Sequence, residues 1–428
     1  MKAKNSLIVL MYIGVGLLAC SQGTIPASIE TATVKPLSST AIPITPTYTA
    51  LSSCVSVVKQ PSQNLPAQGN IILSGAPYYS GAPLFTPSYL LDLSSGEKII
   101  LPQEKNKVIV DSSFSISPNR ERLEYVQENA DRNEKFDKIL YIVTADGVEN
   151  TTIPIEINQR GFHWLDNNYL LIENLRDDWT STSGARATLW LFNPFTGEKR
   201  ELFSDYPDQF VVDNLLWEFS LSRVIYNSTL TRVIYPTVVN YSPVIRLVDV
   251  QTNQFLVDIP TTDFGKFPAW SSDGKRMAFA TQTNKQADRD SYQDEIFILS
   301  EEGELIQLTQ LSNANNYSYI TGLSWSADNH QIAFWVNNTD WEKDHTGVHL
   351  SVVDTYTKEV YEYCDFGNSD GMIYIPKGNP IWSPDGKYLL VNLQDPSDDR
   401  HILVILVEIS TGNTFQVGEN YQAVGWLK

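Results

Sequence analysis

The sequence predicts an all-β protein: a ring of small four-stranded sheets, seven in number. Three observations predict this. One strand–turn–strand sentence recurs in Phe267-Pro268-Ala269-Trp270-Ser271-Ser272-Asp273-Gly274-Lys275, in Leu323-Ser324-Trp325-Ser326-Ala327-Asp328-Asn329 and in Pro380-Ile381-Trp382-Ser383-Pro384-Asp385-Gly386-Lys387. Each copy runs into an apolar strand, such as Tyr388-Leu389-Leu390-Val391, and after a variable loop comes an apolar hairpin with an Asp/Gly turn. Aromatic residues make up 11% of the 428-residue chain, and no long amphipathic helical pattern interrupts it.

The turn chemistry is specific. In Ser-Pro-Asp-Gly, proline presets φ, aspartate bonds nearby backbone and glycine accepts positive φ. The anchors Ile116, Trp164, Trp217, Trp270, Trp325, Trp382 and Trp426 are spaced by 48, 53, 53, 55, 57 and 44 residues. Four-stranded units at a period of about 40–50 residues are the mark of propeller blades, each too small to bury both faces alone. The fourth unit reads two ways, because Val224-Ile225-Tyr226 and Val233-Ile234-Tyr235 both suit its second strand. Six or eight blades therefore stay open beside seven. The tail Tyr421-Gln422-Ala423-Val424-Gly425-Trp426-Leu427 is a first strand with nothing after it. Asn70-Ile71-Ile72-Leu73 and Tyr89–Leu101 form a unit that lacks one. Joining them closes the ring and removes an open edge.

Ahead of the ring, Lys2 and Lys4 precede the apolar run Leu7–Ala19, which is short for a permanent span. It ends Leu17-Leu18-Ala19-Cys20-Ser21 and resembles the bacterial lipobox. That resemblance implies a leader over residues 1–19, a diacylglycerol on Cys20 and a protein held on the extracytoplasmic side of the cell membrane. Residues 20–69 are rich in Ser, Thr and Pro and read as a tether, and 70–428 as the propeller. Outside the cytoplasm, Cys54 and Cys364 are able to pair as a disulfide, with two free thiols as the other reading.

The net charge of −19 becomes −21 if the leader takes Lys2 and Lys4 with it (−19 minus 2). Such a chain repels phosphate backbones, so nucleic acid is not expected as a partner.

Trp-Ser-Pro-Asp-Gly-Lys followed by an apolar strand resembles the repeat of TolB-like, WD-repeat-like bacterial propellers over about residues 70–428. The resemblance implies a non-catalytic binding or scaffold module for a protein or a cell-envelope polymer. The alternative is a carbohydrate-active or other hydrolase with its site at the propeller axis. The family also includes propellers attached to serine peptidases, but no stretch remains here to build a peptidase domain.

In such a blade the short Asp-Gly turns share one face, and the long insertions 174–187, 281–294, 337–347 and 394–401 fall on the other. They carry Trp179, Tyr292, Trp341 and His345 among acidic residues, the expected binding face. Gly367-Asn368-Ser369-Asp370-Gly371, with Asp385 and His401 following, has the residue order of a serine hydrolase but no helix after it, and reads as chance. Asp288/Asp290/Asp294 and Asp395/Asp398/Asp399 read as solvated loops, without the spacing of a calcium loop. No zinc or nucleotide motif appears, so no metal or cofactor is expected.

Overall fold

A computed structural model describes residues 67–428 apart from 76–86, 105–106, 110–113, 130–137, 148, 157–158, 176–186, 204–224, 240–241, 253, 261–267, 283–292, 312–317, 341–344 and 366–373. The sequence-predicted leader, Cys20, Cys54 and all but residues 67–69 of the tether lie outside these residues.

The described residues form seven antiparallel sheets, a seven-bladed β-propeller. Blade 1 is β1 (Asn70–Gly75), β2 (Tyr89–Asp92) and β3 (Lys98–Ile100), completed on its inner side by β29 (Tyr421–Leu427). The register Asn70↔Leu427, Ile71↔Trp426, Ile72↔Gly425 joins the two ends of the ring as expected. The fit is close: a Cβ on Gly425 would stand 1.8 Å from Ile116 Cδ1 of blade 2.

Blade 2 holds an unforeseen strand. Its inner strand is split into β4 (Lys107–Ile109) and β5 (Ser115–Ile116), which pair with different parts of β6 (Arg122–Asn129). β7 (Lys138–Thr144) and β8 (Glu149–Ile155) follow. Blade 3 is β9 (Gln159–Trp164) to β12 (Lys199–Phe203), with β10 at Leu170–Leu175 and β11 at Ala187–Phe192.

Blade 4 resolves the ambiguous unit. Its inner strand is β13 (Ile225–Tyr226), and Val233-Ile234-Tyr235 belongs to the second strand, β14 (Arg232–Val239). The anchor is Tyr226, not Trp217, which lies outside the described residues. The two flanking spacings are thus 62 and 44 (226 minus 164, 270 minus 226). β15 (Ser242–Asp249) and β16 (Gln254–Pro260) complete the blade. Blade 5 is β17 (Ala269–Trp270), β18 (Arg276–Gln282), β19 (Asp294–Ser300) and β20 (Leu305–Gln307). Blade 6 is β21 (Tyr319–Trp325), β22 (Gln331–Asp340), β23 (His345–Asp354) and β24 (Val360–Asp365). Blade 7 is β25 (Ile375–Trp382), β26 (Tyr388–Asp395), β27 (Asp398–Glu408) and β28 (Thr414–Glu419).

The core is not one mass but a seam between each pair of neighbouring blades. Leu389 and Val391 of blade 7 meet Trp335 of blade 6 on one side, while Leu390 and Leu406 meet Ile71 and Trp426 of blade 1 on the other. Period-2 alternation thus buries both faces of every sheet. The anchors staple the seams. The indole Nε1–H of Trp270 donates to Ile225 O (3.3 Å), that of Trp325 to Ala269 O (2.8 Å) and that of Trp382 to Ser324 O (3.2 Å). Each acceptor is the residue before the preceding blade's anchor.

Candidate functional site

The two faces of the ring are built differently. On the face of the short turns, polar groups are used within the fold. Ser271, Ser326 and Ser383 each donate through Oγ to the aspartate two residues on, Asp273, Asp328 and Asp385, and accept the backbone N–H five residues on. Asp385 is therefore a turn residue. Arg120, at the equivalent turn of blade 2, reaches past blade 1 and donates to Trp382 O of blade 7 at 2.6 Å.

Of the residues expected on the binding face, Trp179, Tyr292 and Trp341 lie outside the described residues. His345 opens β23 opposite Asp340, where the backbone begins its return into the blade. Cys364 sits on β24, the outer strand of blade 6, opposite Leu350. The 394–401 connection of blade 7 is described throughout, and it holds a polar cluster that sequence reading assigned only to a solvated acidic loop.

In this cluster His401 lies between two carboxylates, with Nδ1 3.2 Å from Asp395 Oδ2 and Nε2 3.2 Å from Glu419 Oε1. Asp395 turns its other oxygen to Ser397, accepting from Oγ at 2.6 Å and from N–H at 2.8 Å. These bonds from Ser397, then His401, hold the Asp395 carboxyl down at about 2. Ser397 thus serves aspartate rather than imidazole, so the three residues do not form a nucleophilic triad. Ser369 lies outside the described residues. Asp385 precedes β26 and His401 lies on β27 beside the far end of β26, so the length of that eight-residue strand, roughly 25 Å, separates them, too far to share a proton relay.

Asp294 and Glu295 are fully buried at the same end of blade 5. Asp294 accepts the N–H of Ile320 in blade 6, and Glu295 accepts from Thr309 Oγ1 and Leu311 N. Asp294 is a seam fastener rather than part of a solvated loop. Among the described residues, no group of three or more His, Cys, Asp or Glu is arranged to hold a metal ion.

Glu124 is the most unusual residue of the described core. It lies on β6 opposite Ser115 and is fully buried, and neither carboxylate oxygen has a hydrogen-bond partner. Burial raises its pKa well above the ordinary carboxyl range, which favours the protonated form. The equivalent positions of blades 4 to 7, each paired with the residue before its blade's anchor, are Ile234, Ala278, Ala333 and Leu390. All four are apolar. In blade 3, the Nε1 of Trp164 is also buried and without a partner.

The fold thus defines a seven-bladed propeller closed by its last strand. No family model matches the chain, and no curated protein matches it in sequence. Solved structures do resemble it. A prolyl endopeptidase is similar over 83% of this chain and 50% of its own, with a TM-score of 0.51 at 10% identity. The chain spans half the length of that protein, and the likeness is one of fold. TolB from Acinetobacter baumannii is similar over 79% of this chain and 78% of its own (TM-score 0.42, 12% identity). A periplasmic gluconolactonase from Pseudomonas aeruginosa is similar over 84% and 98% (TM-score 0.47, 15% identity).

Proposed function

We propose that this chain is a non-catalytic binding or scaffold module, tethered by lipid at Cys20 to the extracytoplasmic side of the cell membrane. Its partner, a protein or an envelope polymer, docks on the face of the long insertions. The observation that carries the reading is the asymmetry between the faces. Serine–aspartate pairs are consumed inside the short turns, whereas the opposite end of blade 7 presents His401 between two carboxylates, partly open to solvent. Charged and aromatic groups on loops above a rigid scaffold are the usual material of a contact site.

The test is capture of a partner from envelope extracts by the full-length protein and by a Trp179→Ala/Trp341→Ala variant. The double substitution is expected to lower retention about tenfold or more. Equal retention by both proteins refutes the assignment to this face. In the same preparation, Cys20→Ala should move the protein from the membrane fraction to the soluble one, and unchanged partition refutes the anchor.

A further inference from the structure

The face of the short turns is not featureless. Between the two outer strands of blade 3 the turn Asn193–Glu198 is closed by Asn193 N–H to Glu198 O at 2.9 Å. In blade 6 the turn Asp354–Glu359 is closed by Asp354 N–H to Glu359 O at 3.0 Å. In both, the first residue's Oδ1 accepts the N–H two residues on, from Phe195 at 2.9 Å and from Tyr356 at 2.9 Å. The same side-chain bond to the tip exists in blade 1 at Ser94 and in blade 4 at Gln251, both polar. An aromatic ring occupies the tip only in blades 3 and 6 of these four.

Both rings are fixed from beneath and open above. Phe195 is 43% exposed, with the Arg122 guanidinium 4.4 Å from its centroid and Trp164 stacked at 6.3 Å. Tyr356 is 64% exposed, with Arg276 at 5.8 Å and the His330 ring edge-on at 4.7 Å. In each case the arginine comes from the preceding blade. A ring held this way loses little side-chain freedom when a flat partner covers it. The other exposed large apolar residues of blades 4 to 6, Phe255, Leu256, Leu305 and Tyr361, lie on outer strands instead.

We propose that Phe195 and Tyr356 are two stacking platforms for an uncharged glycan. A protein interface wants a contiguous apolar centre, and each platform is a single exposed ring with an arginine against it. A sugar offers the matching surface, an apolar face of C–H groups with hydroxyls around its edge. Thr196 and Thr357 follow the two rings directly, and His330 borders the second, within reach of such hydroxyls. Charge narrows the choice further. The chain carries −19, and Asp354 and Glu359 outnumber Lys358 in the Tyr356 turn, which disfavours a polyanionic polymer despite the arginine against each ring. The inference is independent of the loop-face reading, because the two sites lie at opposite ends of the blades.

The test is titration of the full-length protein with cellotetraose, maltotetraose and N-acetylated chitotetraose, read by intrinsic fluorescence, since Trp164 stacks on Phe195 and Trp325 shares Arg276 with Tyr356. At least one of the three should saturate with two sites per chain. Tyr356→Ala should leave one site, and Phe195→Ala/Tyr356→Ala should lower affinity about tenfold or more, while Tyr356→Phe and Phe255→Ala bind as the parent does. Tyr356 is largely in solvent, so Tyr356→Ala should keep the parent's melting temperature, while Phe195→Ala, which loses the contacts to Arg122 and Trp164, should lower it modestly and stay folded. The proposal is overturned if none of the three saturates by roughly 10 mM. It is equally overturned if the folded double variant binds like the parent, or if only a sulfated polysaccharide binds and salt releases it.

Discussion

Glu124 sets the terms at the residue scale. Burial without a partner penalises its charged form, so its folded pKa stands above the ordinary 4.5. The unfolded chain releases that proton first. Stability from this group is therefore highest below about 4.5 and falls as pH rises towards the raised folded value. Glu124→Leu should gain about 1–3 kcal/mol at pH 7.5 and much less at pH 4, measured by urea unfolding at both. A loss of stability at pH 7.5 would mean that the carboxyl has a partner the seam needs. The signal was present in the sequence. Leu123-Glu124-Tyr125-Val126 breaks an apolar run at a position that is Ala278, Ala333 or Leu390 in clearer repeats. The His401 cluster was harder to read, because Asp395, His401 and Glu419 meet only after β27 and β28 pair.

At the scale of the element, the anchors were legible for a physical reason. A tryptophan whose N–H must reach the preceding blade cannot be replaced by an aliphatic residue without orphaning a carbonyl. Trp325→Phe should cost about 1–2 kcal/mol more than Trp164→Phe, because only Trp325 donates, to Ala269 O at 2.8 Å. Equal costs in chemical denaturation would show that packing, not the staple, decides. The faint repeats are explained by the turn that follows. Its left-handed position is Gly274, Asn329 and Gly386 in the strong copies but Arg120 and Leu230 in the faint ones. Glycine is therefore an incomplete guide to where these turns lie. In blade 4 the anchor itself changes to Tyr226, which is why Trp217 drew attention in its place. The split inner strand of blade 2 had no sequence mark, since β4 is three residues long.

For the whole molecule, the ring is held by its seams, and the seam at blade 1 depends on β29. Deleting residues 421–428 removes Trp426 and Leu427, both essentially buried, and leaves β1 unpaired on one side. Two such side chains contribute roughly 2–3 kcal/mol each, a large part of the 5–15 kcal/mol typical of a folded domain. The truncated chain should lose its cooperative unfolding transition by calorimetry, and an unaltered transition would refute closure. This much was readable beforehand, because an unmatched strand at one end implied a vacancy at the other. The closure also sets a timetable. β29 leaves the ribosome about 350 residues after β1, which at 5–20 residues per second is roughly 20–70 s. Throughout that interval the nascent chain displays an adhesive border with no native mate, so its synthesis calls for a chaperone or for delayed collapse until the last residues emerge.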